Sequence, residues 1–229
     1  MFGDHDWKYL KHGISLGAGL FEGRFSQFVP VTLLSRGEIL PVINNALGFA
    51  GFALGVAMLA RYWRLPHTKT ACVLFALFAA LTPYVLSFMY FAFLVIPVLG
   101  WNMFVIGSLL ISEKEERFSL RRTVSAAVLT TLALGGYPPV INLIAVAFSV
   151  RLLFAALFEI PSPAAATPGT PLPLSLPAVL KTLCRRFRWT AFNLVLGAAC
   201  YKLCLWALTR TGAVLSLIHI SEPTRLALI

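Results

Sequence analysis

Residues 71–111 read ACVLFALFAALTPYVLSFMYFAFLVIPVLGWNMFVIGSLLI, 41 positions without one charged side chain. Drawn as helix at 1.5 Å per residue, the run is about 60 Å long, twice the roughly 30 Å of a bilayer's hydrocarbon core. It is therefore expected to cross twice. The turn is expected within residues 83–90 (PYVLSFMY), where a proline and two tyrosines suit a membrane interface. Upstream, residues 39–60 form one apolar run of bilayer length. Downstream, residues 123–158 are again too long for one crossing and carry a break signal at 135–139 (GGYPP). A last span is expected at about 190–208. The expected architecture is all-α: a polytopic transmembrane helical bundle of about six spans.

Composition agrees with that class. The 229 residues are 59% apolar and 12% charged, and mean hydropathy is +0.82. A typical globular chain is about 45–50% apolar and about 25% charged. A soluble fold with so few charges has too little polar surface to face water, so lipid must solvate much of the chain. Eighteen Phe and five Trp exclude intrinsic disorder. The net charge of +10 invites a nucleic-acid partner, but the basic residues fall in short clusters between apolar runs, as membrane topology requires. Cys72, Cys184, Cys200 and Cys204 lack zinc-site spacing and are read as small buried apolar side chains. No metal or cofactor is expected.

The basic clusters set the orientation. Residues 61–69, 114–122 and 181–188 should all face the cytoplasm, which requires each long run to cross twice. Arg151, near the end of its run, is read as snorkelling to the interface, and Lys202 likewise. Residues 161–177 hold six prolines and form a cytoplasmic linker. Residues 215–225 (LSLIHISEPTR) resemble the translation of a sequencing-library adapter, so 215–229 is read as a non-native tail. That leaves a partial membrane domain over 1–214, with an extracytoplasmic segment at 1–38 and the transmembrane region at 39–208. A start of Met-Phe-Gly-Asp outside the cell, with no export signal, leads us to expect a missing upstream helix and a chain cut at both ends.

The opening segment (MFGDHDWKYLKHGISLGAGLFEGRFSQFVPVTLLSRG, residues 1–37) is where chemistry is expected. Asp4 can cap a short helix over residues 6–12 that Gly13 ends, with Trp7 and Tyr9 anchored at the membrane surface. Asp6, Glu22 and Arg24 suggest a general base and a phosphate-binding guanidinium. Taken singly, each also has a plain reading: an N-cap for Asp4, a surface ion pair for Glu22 with Arg24, and headgroup contacts for Lys8 and Lys11.

The order GDHDWKYLKHG, FEGRFSQFVP, LTPYVLSFMY and LALGGYPPVINL resembles the bacterial glucosyltransferase type II family, which includes O-antigen-modifying membrane enzymes of the GT-C class. The resemblance covers most of residues 1–208. It implies an inverting hexosyltransferase of the bacterial inner membrane, with a polyprenyl-phosphate-linked sugar as donor and a surface glycan as acceptor. By position it implies Asp6, or Asp4, as catalytic base. Glu22, Arg24 and Lys8 then stand near the donor phosphate, and Tyr84, Tyr90, Tyr137 and Asn142 near the sugar. His5 between the two acids departs from an adjacent pair. The acid and arginine associated with the middle outer loop in relatives are absent from FMYFAFLVIP. The competing class is a non-enzymatic transporter or lipid-translocating protein, which ionisable residues within the spans would favour.

Overall fold

The computed structural model describes residues 24–26, 41–66, 68–82, 99–113, 118–159 and 176–210, and all of its regular structure there is helical. In chain order the helices are α1 (Pro41–Tyr62), α2 (Lys69–Ala80), α3 (Asn102–Glu113), α4 (Leu120–Gly136), α5 (Ile141–Phe154) and α6 (Leu176–Arg210). A 3-10 turn, Pro138–Val140, leads into α5, and a π-helical turn, Ala155–Glu159, continues it. Among the described residues three helices are long and apolar enough to cross a membrane: Val42–Tyr62, Pro138–Glu159 and Pro177–Arg210. The expected turn at 83–90 lies outside the described residues. The break at 135–139 falls inside the described chain: α4 stops at Gly136, Tyr137 is extended, and the prolines start the next turn.

The short α3 is the hub, packed by α1, α4, α5 and α6. Val105, Ile106, Gly107, Ser108, Leu109 and Ser112 are buried on it. Close approach of backbones replaces bulky side chains at its crossing with α1. A methyl group on Gly51 would lie 2.7 Å from the Gly100 carbonyl oxygen, closer than the crossing allows. Polar contacts join the helices elsewhere. Ser108 Oγ donates to the Ala126 carbonyl at 2.9 Å and lies 2.7 Å from Thr130 Oγ1. Thr131 donates to the Gly197 carbonyl at 3.0 Å, and Asn193 Nδ2 to Ser112 Oγ at 3.0 Å. In lipid such bonds act as specific ties, because apolar burial alone does not distinguish helix from solvent.

Two expectations are corrected here. The basic cluster at 181–188 does not precede the last helix but belongs to it. Residues Leu176–Arg210 form one helix of 35 residues, about 52 Å long, and the expected linker's last residue, Pro177, sits in its first turn. Proline is tolerated there because the first-turn N–H groups have no intrahelical acceptor, and Lys and Arg are good helix formers. The cysteines are not buried. Cys72, Cys184 and Cys204 are exposed and Cys200 is half-exposed, so they stand on the outer faces of their helices.

Candidate functional site

The helix ends gather into two polar regions. At the first, α4 ends and α5 begins. Residues 24–26 are seated against this turn: Ser26 Oγ donates to the Leu132 carbonyl at 2.6 Å, and the Phe25 ring stacks 5.9 Å from that of Tyr201. Arg24 is thereby placed with its guanidinium carbon 5.5 Å from the centre of the Tyr137 ring. Such a cation–π pair contributes about 0.5–2 kcal/mol, the larger value when water is excluded. Tyr137 in turn lines a cleft of about 580 Å³ bounded by α1, α2, α3 and α5. The cleft wall is mainly apolar, including Phe52, Leu59, Phe75 and Phe78. Asn102, Tyr137 and Asn142 supply polar groups toward the end where α5 begins. At the far end Trp63 closes it, held by a 3.0 Å hydrogen bond from its Nε1 to the Ala147 carbonyl.

Of the residues expected at the site, Arg24, Tyr137 and Asn142 are therefore brought to one end of the bundle, although 113 positions separate the first two in the chain. Asp4, Asp6, Lys8, Glu22, Tyr84 and Tyr90 lie outside the described residues. No group of three or more His, Cys, Asp or Glu side chains able to hold a metal occurs among the described residues.

The second region was missed in the sequence. Arg151 does not snorkel: its side chain is 0% exposed. Its Nε donates to Glu113 Oε1 at 2.9 Å and its Nη2 to the same oxygen and to Glu159 Oε2 at 3.1 Å. Its Nη1 lies 2.6 Å from Glu159 Oε1. Two outer arginines close the group. Arg64 donates to Glu159 at 2.9 Å and to Glu113 at 3.3 Å, and Arg186 Nη2 lies 2.7 Å from Glu159 Oε2. Four helices are thus tied at one end: α3 through its last residue, α5 through Arg151 and Glu159, α6 through Arg186, and α1 through Arg64, two residues past its end.

Local backbone geometry makes the knot possible. Eight α-helical residues separate two side chains by about 80° around the axis, so Arg151 and Glu159 would not face one another on an undistorted helix. The wider π turn between them takes up that angle. At the end of α1, Leu65 N–H donates to the Ala60 carbonyl and Arg64 N–H to that of Arg61, a Schellman ending. Arg64 holds the left-handed position at φ 56°, normally taken by glycine. The signal available in the sequence was the pairing of opposite charges at the ends of three apolar runs. Their partners are 38, 49 and 95 positions apart, so no local pattern joins them.

Comparison with protein-family models, with curated proteins and with solved structures gave no match.

Proposed function

We propose that this chain is a membrane glycosyltransferase of about six spans, set in a bacterial inner membrane with its N-terminal segment outside the cytoplasm. It moves a hexose, glucose by the family resemblance, from a polyprenyl-phosphate donor to a surface polysaccharide such as O-antigen. In this reading Asp6, with Asp4 as the alternative, deprotonates an acceptor hydroxyl. That oxygen attacks the anomeric carbon with inversion, and the bond to the lipid phosphate breaks. Arg24, with Lys8, stabilises the departing phosphate. Glu22, Tyr84, Tyr90, Tyr137 and Asn142 hold the donor and its sugar. The observation that supports the reading best is the seat of Arg24 on Tyr137, a residue that also lines an apolar cleft. A lipid carrying a charged, sugar-bearing head asks for that combination.

The test is glycan modification in a bacterium expressing the chain, read by mass spectrometry of the polysaccharide. Asp6→Asn with Asp4→Asn should abolish transfer, and Arg24→Gln should reduce it by about 10²-fold or more. Full activity in the double asparagine variant would remove the mechanism.

One observation favours the competing transporter or lipid-translocating reading. A fully buried arginine shared by two carboxylates inside a membrane bundle is the kind of group that marks transport pathways. Substrate movement across proteoliposomes that stops in Glu113→Gln, with no glycan product from the unaltered chain, would select it.

A further inference from the structure

We propose that the arginine-rich end of the bundle binds one anionic phospholipid, its phosphodiester held between Arg64 and Arg186 and an acyl chain lying on Phe154 and Phe158. The proposal rests on the chain being embedded in a bilayer and is independent of glycosyl transfer. Among the described residues three guanidinium groups meet two carboxylates in the knot, so one positive charge is left over there. Arg151 is sealed inside, which places the surplus on the two outer arginines, whose side chains are 54% and 35% exposed.

Their spacing suits a phosphate. Arg64 Nη1 and Arg186 Nη2 both contact Glu159 Oε2, so the two nitrogens lie no further apart than those two contacts laid end to end. Each guanidinium carries five N–H donors in a planar fork, and Arg64 directs only two of its nitrogens at the glutamates. The remaining donors can take the non-ester oxygens of a phosphodiester.

A second observation points to a lipid rather than to a soluble ion. Beside Arg64 lies a cleft of about 390 Å³ walled by Trp63, Pro66, Phe154 and Phe158, with Glu159 at its edge. The carboxylate of Glu159 does not repel an anion there, because three arginines already share it. Phe154 and Phe158 meet edge to face at 5.9 Å, and Phe158 is 76% exposed, open to the surrounding lipid. Charge and apolar slot adjoin at the end of α1 and α5, where the headgroup layer meets these helices. A zwitterionic headgroup would bring its own cation to a site already one positive charge in surplus. A free phosphate would leave the aromatic slot empty.

The test uses the full chain in nanodiscs of phosphatidylcholine with a minor fraction of phosphatidylglycerol, followed by gentle detergent extraction and native mass spectrometry. One phosphatidylglycerol per chain should be retained, with preference over phosphatidylcholine of about tenfold or more. Arg64→Gln with Arg186→Gln should erase the preference. Arg185→Gln with Arg188→Gln, which removes equal charge from exposed positions outside the knot, should keep it. Should the Arg64 and Arg186 variant not survive purification, brominated lipids decide. The part of fluorescence quenching that disappears in Trp63→Phe should be larger for brominated phosphatidylglycerol than for brominated phosphatidylcholine. Equal retention of both lipids, equal loss in the two double variants, equal quenching, or complete displacement of the lipid by millimolar inorganic phosphate would each overturn the proposal.

Discussion

The two ends of the bundle solve opposite problems. At the Arg151 end, charge is drawn inward and consumed: among the described residues one buried guanidinium, two carboxylates and two outer arginines leave a single positive charge. At the Tyr137 end, Arg24 lies over a ring that itself lines an apolar cleft, and the cleft wall also carries Asn102 and Asn142. The first arrangement ties four helices together. The second borders a space of about 580 Å³ between α1, α2, α3 and α5. A closed polar group fixes geometry, whereas an open one can exchange its partner for a ligand. Stability should therefore depend on the first end and ligand chemistry on the second.

The hardest test of that contrast is Arg151→Met. It leaves Glu113 and Glu159 without their buried partner and should cost about 3–5 kcal/mol, seen as a large fall in the thermal midpoint of purified protein in nanodiscs. The triple change Arg151→Met, Glu113→Leu and Glu159→Leu should recover most of that loss, since an apolar plug of similar volume carries no desolvation penalty. If Arg24→Met proves as damaging to the midpoint as Arg151→Met, the division between the ends is wrong.

Next in size is Gly197→Ala. Its new methyl would meet the Thr130 side chain and the Ala127 carbonyl, where α6 crosses α4 between the two ends. A loss of about 1–3 kcal/mol in the same melting assay is expected. Smaller again is the difference between two replacements of Arg64. Both Arg64→Gly and Arg64→Ala lose exposed ion pairs of little worth, but only glycine relieves the left-handed backbone. The glycine variant should be more stable than the alanine variant by about 1 kcal/mol. At the open end, Asn142→Ala removes an exposed side chain and should move stability by less than about 0.5 kcal/mol. Its effect should appear in donor affinity, measured by titration of a short-chain lipid-phosphate sugar.

Much of the helical framework can be read from the chain because hydropathy and helix punctuation are local. Gly135, Gly136, Pro138 and Pro139 announce a break, and the break is there. Arg121 and Arg122 stand at the start of α4, and Arg64 two residues beyond α1, where apolar runs stop. The last basic cluster misleads for a physical reason. A helix does not stop at the membrane surface when its residues favour helix on both sides, and residues 181–188 do. Of the nine residues expected at the candidate site, three fall among the described residues. Arg24 is singled out by its own chemistry and Tyr137 by the resemblance, and the fold brings them into contact across 113 positions. The Arg151 knot cannot be read by the same means. Glu113 and Arg64 approach through tertiary packing, and Glu159 comes into line only because one turn of helix is wider than its neighbours.

That wide turn carries a consequence for natural variation in this chain. Inserting one alanine among residues 155–158 would leave every charge in place and only lengthen an apolar run, so a measure of membrane insertion would register no defect. It would nonetheless turn Glu159 about 100° further from Arg151, leaving a protein that enters the bilayer correctly and then cannot lock, whereas loss of one residue leaves a seven-residue spacing that an ordinary helix brings nearly into line. Gain of a residue at this spot should therefore be far rarer than substitution or loss.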